Sequence, residues 1–127
     1  MPAARVDELE IAAQMDGYEA RGASWGDMTV SFETMGAADP APLFEGLPDN
    51  RCQAAHYGFV FEGELVVRYA DSEETITAGQ AYYLPPGHVP LVRTSARTME
   101  FTRNDELAVT QEVIGKNLAN GVEVIRL

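Results

Sequence analysis

The sequence predicts an all-β fold, a sandwich or small barrel, followed by one C-terminal helix. Three observations carry this reading: a period-2 alternation over 27–35, a series of short turn-bounded apolar and aromatic runs from 56 to 94, and a switch to helical spacing after 104. A chain of 127 residues with 46% hydrophobic and 23% charged residues fits one soluble globular domain. It is long enough to bury a core without disulfides.

The elements follow in order. DMTVSFETM (27–35) places Met28, Val30, Phe32 and Thr34 on one face, as in a half-buried strand. ADPAPLFEGLPDN (38–50) is punctuated by proline and reads as a long loop leading toward the following strands rather than dividing domains. HYGFVFEG and ELVVRYA then read as two strands turning at Glu62-Gly63. SEETIT, a turn at Ala78-Gly79, the aromatic run AYYLP, the turn PPG and VPLVRT continue the pattern. In NDELAVTQEVIGKNLAN (104–120), Leu107, Val113, Ile114 and Leu118 fall near one helical face. Asn104 or Asp105 is the expected cap and Asn120-Gly121 the stop, with Gly115 costing roughly 1 kcal/mol relative to Ala. The closing VEVIRL reads as a last strand, at an edge or exchanged with a partner subunit.

A net charge of -11 argues against polyanionic partners, since nucleic-acid binding draws its affinity from Lys and Arg neutralising phosphates. Neither nucleic acid nor an anionic membrane is an expected partner. The start, MPAARVDELEIAAQMDG, lacks the basic flank and apolar run of a secretory signal, and no stretch is apolar enough to span a bilayer. A cytoplasmic location is the expectation, in keeping with a single cysteine that can form no intrachain disulfide.

That cysteine and both histidines lie in two short segments, RCQAAHYGFVFEG (51–63) and AGQAYYLPPGHVP (78–90). A thiolate with two imidazoles suits Zn²⁺ first and Fe²⁺ second, and disfavours Mg²⁺ and Ca²⁺, which prefer oxygen ligands. Residues four apart in a regular strand are roughly 13 Å apart. Cys52 and His56 therefore share a metal only where Gln53, Ala54 and Ala55 bend the chain. Glu100, opposite in parity to Met99 and Phe101, is a further candidate ligand.

Gly79, Pro85 and Gly87, with the spacing of the short strands, resemble the second motif of the cupin superfamily, Gly-x5-Pro-x-Gly-x2-His-x3-Asn. Pro90 stands at that motif's histidine and Thr94 at its asparagine. Counted back from Gly63, the first motif, Gly-x5-His-x-His-x3-Glu-x6-Gly, puts His56 at the glutamate, Cys52 at the second histidine, Asn50 at the first and Phe44 at the starting glycine. The chain also looks like a subgroup of bacterial cupin-domain proteins carrying Cys-x3-His and Pro-Pro-Gly-His, which favours His88 as the ligand. The resemblance covers about 27–101 and implies a cupin-type barrel, a double-stranded β-helix or jelly roll, in a single domain spanning 1–127 with its helix at about 104–120.

The resemblance further implies a divalent metal in the lumen held by Cys52, His56, His88 and Glu100, a small-molecule ligand, and dioxygenase, isomerase or hydrolytic chemistry among which no residue pattern selects. The alternative is a non-catalytic small-molecule binder or sensor. Tyr57, Phe59 and Phe61 point away from the His56 face, so a second sheet, the helix or another subunit must cover them. A homodimer is the expectation.

Overall fold

A computed structural model describes residues 3–127. After a single turn at Val6–Glu8, the chain forms β1 (Glu10–Met15), β2 (Tyr18–Trp25) and β3 (Met28–Asp39). Turns at Ala41–Phe44 and Pro48–Asn50 lead to β4 (His56–Arg68), β5 (Glu73–Thr77), β6 (Ala81–Leu84) and β7 (Val89–Arg103). Helix α1 (Asn104–Ala119) and the short β8 (Ile125–Arg126) end the chain.

The strands join antiparallel in the order β1-β2-β3-β7-β4-β5, with β6 also pairing β4 and β8 pairing β3. Two long strands, β4 and β7, form the spine. The first half of β4 pairs with β6 and β7 and its second half with β5 and β7. The inward side chains Val60, Leu65, Val67, Ile76, Tyr82, Leu84, Val92 and Ala96 make one apolar core. A second, of Leu43, Phe44, Leu47, Cys52, Ala54 and Val89, is closed by Val113 and Ile114 of the helix.

Several expectations need correction. The hairpin expected at Glu62-Gly63 is a bend within one strand: β4 runs through it, and the register against β7 slips there. Gly63 makes this possible, because it sits at φ +73° and an added Cβ would lie 2.0 Å from the Ser95 carbonyl oxygen. Only glycine accepts both conditions at low cost. VPLVRT and the segment through Arg103 form one strand, β7, and not two.

The hairpin β1–β2, which the reading from 27 onward did not include, extends the sheet past β3. The helix is capped differently too. Arg103 occupies the cap position without a side-chain cap bond. Asn104 instead donates to Ser24 Oγ and the Gly26 carbonyl and contacts Thr29 Oγ1 at 2.6 Å, fastening the helix start to the β2–β3 turn. The expected stop holds, with Gly121 at φ +83° and the Val122 N–H returning to the Asn117 carbonyl. VEVIRL contributes β8, paired with β3 of its own chain.

Candidate metal centre

Main-chain hydrogen bonds bring the three soft ligands together. The Cys52 N–H donates to the His88 carbonyl at 2.9 Å and the Gly87 N–H donates to the Cys52 carbonyl at 2.8 Å, an isolated antiparallel bridge. Gly87, at φ +95°, lets the Pro-Pro-Gly turn deliver His88 to this bridge. His56 opens β4 opposite Thr102 and Leu84. Between Cys52 and His56 the chain bends as required, with Ala54 buried and the Ala55 N–H held by Glu106 Oε1 at 3.0 Å. The start of the helix thus fixes the bend that sets the ligand spacing.

The side chains converge on one point. One ligand atom from each of Cys52, His56 and His88 lies within 4.8 Å of the others, and Cys52 Sγ is 3.7 Å from His56 Nε2. Thiolate and imidazole ligands of one tetrahedral zinc stand about 3.5 Å apart. His88 Nδ1 is 2.7 Å from the Pro85 carbonyl, which can only accept, so Nδ1 carries the proton and Nε2 keeps a lone pair. His56 Nδ1 faces Thr102 Oγ1 at 2.6 Å and Glu100 Oε2 at 3.0 Å, which leaves its Nε2 toward the sulfur. Metal-binding histidines are characteristically held this way through the second ring nitrogen. The residues present fit a soft divalent ion.

Glu100 is directed inward, beside the ligand set. Its Oε2 stands behind His56, and the Nδ1–H is aimed at Thr102, so the carboxylate makes an ion-pair contact without a directed hydrogen bond. Thr110, the buried residue of the helix, touches Cys52 Sγ through its hydroxyl at 3.2 Å.

The electrostatics follow from these contacts. Burial opposes charge on Cys52, but His56, His88 and Thr110 outweigh it and lower the thiol to about 6. Burial likewise opposes charge on His56, yet Glu100 and Cys52 raise it to about 10. For Glu100 burial is outweighed by His56, and the carboxyl falls to about 2. Without a metal the centre is therefore a thiolate–imidazolium–carboxylate chain at neutral pH.

A second polar group adjoins it that the sequence reading did not single out. Tyr18 Oη donates to Glu33 Oε2 at 2.5 Å, and Glu33 lies next to Glu100, close enough for their charges to interact. Burial and the Glu100 charge raise Glu33 to about 8, so the two carboxyls share one proton at neutral pH. The alternation over 27–35 has both sides in use: Val30, on the expected apolar face, is the buried residue of β3, and the opposite, polar face is turned inward as well. Ser31 pairs with Glu100 and Glu33 with Thr98, so the polar face of β3 lines the interior, whereas Phe32 stacks on exposed Phe61 outside.

Compared with known proteins, the chain matches no family model and no curated sequence. Among solved structures it is similar to an RmlC-like cupin from Shewanella frigidimarina (15% identity, TM-score 0.56, 79% of this chain and 87% of the other). It is also similar to the EutQ protein of Clostridium difficile (10%, TM-score 0.56, 80% and 85%). The Fe(II) form of HppE is another (14%, TM-score 0.57, 78% and 58%). The chain has the all-β cupin fold, with a possible metal site at Cys52, His56 and His88.

Proposed function

We propose that this cupin-fold chain binds one divalent metal ion through Cys52 Sγ, His56 Nε2 and His88 Nε2, with zinc the first choice and iron the second, and presents it to a small molecule. The observation that carries the reading is the commitment of both Nδ1 atoms to neighbouring oxygens. Three protein ligands leave a coordination position for water or ligand, as catalytic sites do. A bound ion would supply Lewis-acid polarisation of a ligand oxygen or an acidified water. Glu100 and Thr102 would keep the His56 ring in place and Thr110 would orient the thiolate.

The alternative, a binder that performs no chemistry, draws support from burial: Cys52 and His88 are only 2% and 1% exposed. Elemental analysis of untagged protein tests the metal directly. About one equivalent of zinc or iron is expected in the wild type, falling below about a tenth in His56→Ala and His88→Ala. Wild-type protein that neither carries nor takes up Zn²⁺ or Fe²⁺ would falsify the reading. Cobalt substitution separates enzyme from binder: a visible spectrum that responds to azide marks an open position, and an unresponsive one favours the binder.

We also propose a homodimer, seated on the outer aromatic face of the sheet. Tyr57 and Tyr83 stack at 5.1 Å and Phe59 meets Phe61 at 5.2 Å. Tyr57, Phe61 and Tyr83 are 53%, 46% and 54% exposed. Neither the helix nor another strand covers them, and a continuous aromatic patch of this kind marks an interaction surface.

A further inference from the structure

Among the described residues, which hold all nine Lys and Arg of the chain, every basic side chain except Arg51 stands within 4.0 Å of a carboxylate oxygen. Partners are not scarce, since the chain has 20 acidic residues. Arg51 instead donates through Nη1 to the Asp49 main-chain carbonyl at 3.3 Å, and its buried Nε has no hydrogen-bond partner. A half-buried guanidinium without an anion keeps unused donors, and its planar fork fits a carboxylate. This one lines an open cavity of about 570 Å³ between the loop 41–51 and the corner joining β4 to β5.

Most other charges around the cavity are already committed. Arg68 gives both Nη groups to Asp39 and shares Nη2 with the Pro90 carbonyl, and Glu73 pairs with Arg93 at 3.3 Å. Glu45 and Asp49 are exposed, and neither carboxylate has a partner among the described residues. Asp49 and Asn50 take left-handed backbone at φ 55° and 56°, and the Gly46 N–H closes their turn by donating to Asn50 Oδ1 at 3.1 Å. The turn presents the Asp49 carbonyl to Arg51 and leaves the Asp49 carboxylate unpaired. Ala41, Tyr69 and Val89 supply an apolar part of the wall.

We propose that this cavity binds a small α-amino acid as its zwitterion, with the carboxylate on Arg51, the ammonium on Asp49 and an apolar side chain against Ala41, Tyr69 and Val89. The charges define the class. A plain anion meets the carboxylates of Glu45 and Asp49 and a plain cation meets Arg51, whereas a zwitterion finds an opposite charge at each end. Cys52, His56 and His88 do not line the cavity, so the site goes beyond the metal reading and stands without it.

The test is ligand-observed NMR titration of wild type, Arg51→Gln and Asp49→Asn with L-leucine, with isocaproate, which lacks the ammonium, and with isoamylamine, which lacks the carboxylate. Wild type is expected to bind L-leucine at least about fivefold more tightly than either half-ligand. Arg51→Gln is expected to lose about tenfold for L-leucine and to bind isoamylamine as before or better. Asp49→Asn, in which asparagine keeps the left-handed backbone, is expected to lose about threefold for L-leucine, as suits an exposed charge, and to bind isocaproate no worse than wild type. Melting temperatures close to that of wild type show that the variants are folded. Should Arg51→Gln not fold, Asp49→Asn decides the proposal, because its side chain is exposed. Absence of saturable L-leucine binding overturns the proposal. Isocaproate bound as tightly as L-leucine, or variants that bind L-leucine as wild type does, overturn it as well.

Discussion

At the scale of single residues, the interior is organised by who holds each proton. Glu33 has its folded value raised to about 8 from an ordinary 4.5, so the native chain retains a proton that the unfolded chain has released. Its contribution is complete below about pH 4.5 and is lost as pH rises through about 8. Glu100 runs the other way, contributing above about 4.5 and losing its contribution as pH falls toward about 2. In metal-free protein, the melting temperature of Glu33→Gln relative to wild type is expected to rise steadily from pH 5 to pH 9, because the amide never ionises. A difference that stays constant across that range would show that the two carboxyls do not share a proton. The sequence made Cys52, His56 and His88 visible because soft ligands are rare and stood close together. It hid Glu33, because a glutamate on the polar side of an alternating strand looks the same whether that side meets solvent or a polar barrel interior. Only cross-strand register distinguishes the two.

At the scale of elements, most strands were legible from alternation and turns, and the misreadings arose where a glycine admits more than one backbone path. Glu62-Gly63 resembles a hairpin corner, but the tight contact with Ser95 turns it into a bulge inside β4. Gly63→Ala is expected to destabilise by about 2 kcal/mol or more, from the positive φ together with the backbone contact. Gly79→Ala provides the comparison, having positive φ but open space around its Cβ, and is expected to cost about 1 kcal/mol. Urea unfolding midpoints check both, and equal losses would mean that the Ser95 contact relaxes freely. The helix carried its own ambiguity: its apolar spacing was readable, whereas its function of holding the Cys52–His56 bend through Glu106 and Thr110 depends on tertiary contacts that no local pattern encodes.

At the scale of the whole molecule, the uncovered aromatic face and the net charge act in opposite directions on association. The charge of -11 repels a second copy at long range and is screened by salt, while the aromatic contact is short-ranged and persists. Light scattering after size exclusion is expected to give a dimer in wild type, strengthened at higher ionic strength, and a monomer in Phe61→Glu. A wild-type monomer at all salt concentrations, or a dimer unaffected by Phe61→Glu, would remove this face from consideration. The expectation of a partner rests on parity, since Tyr57, Phe59 and Phe61 point away from His56, and on the family resemblance. What the sequence could not supply was whether the helix would cover them, because that depends on the direction in which the chain leaves β7. It turns instead toward the second core around Leu43 and Phe44.

The bridge between Cys52 and His88 consists of main-chain hydrogen bonds, which do not depend on the side chains at either end. The spacing of the two positions is therefore a property of the frame, and the residues mounted on it are replaceable fittings. This is how a cysteine and a histidine from separate segments are brought to one point whatever side chains stand there. The softness of that meeting point is decided by one letter at position 52, on scaffolding that has no stake in the choice.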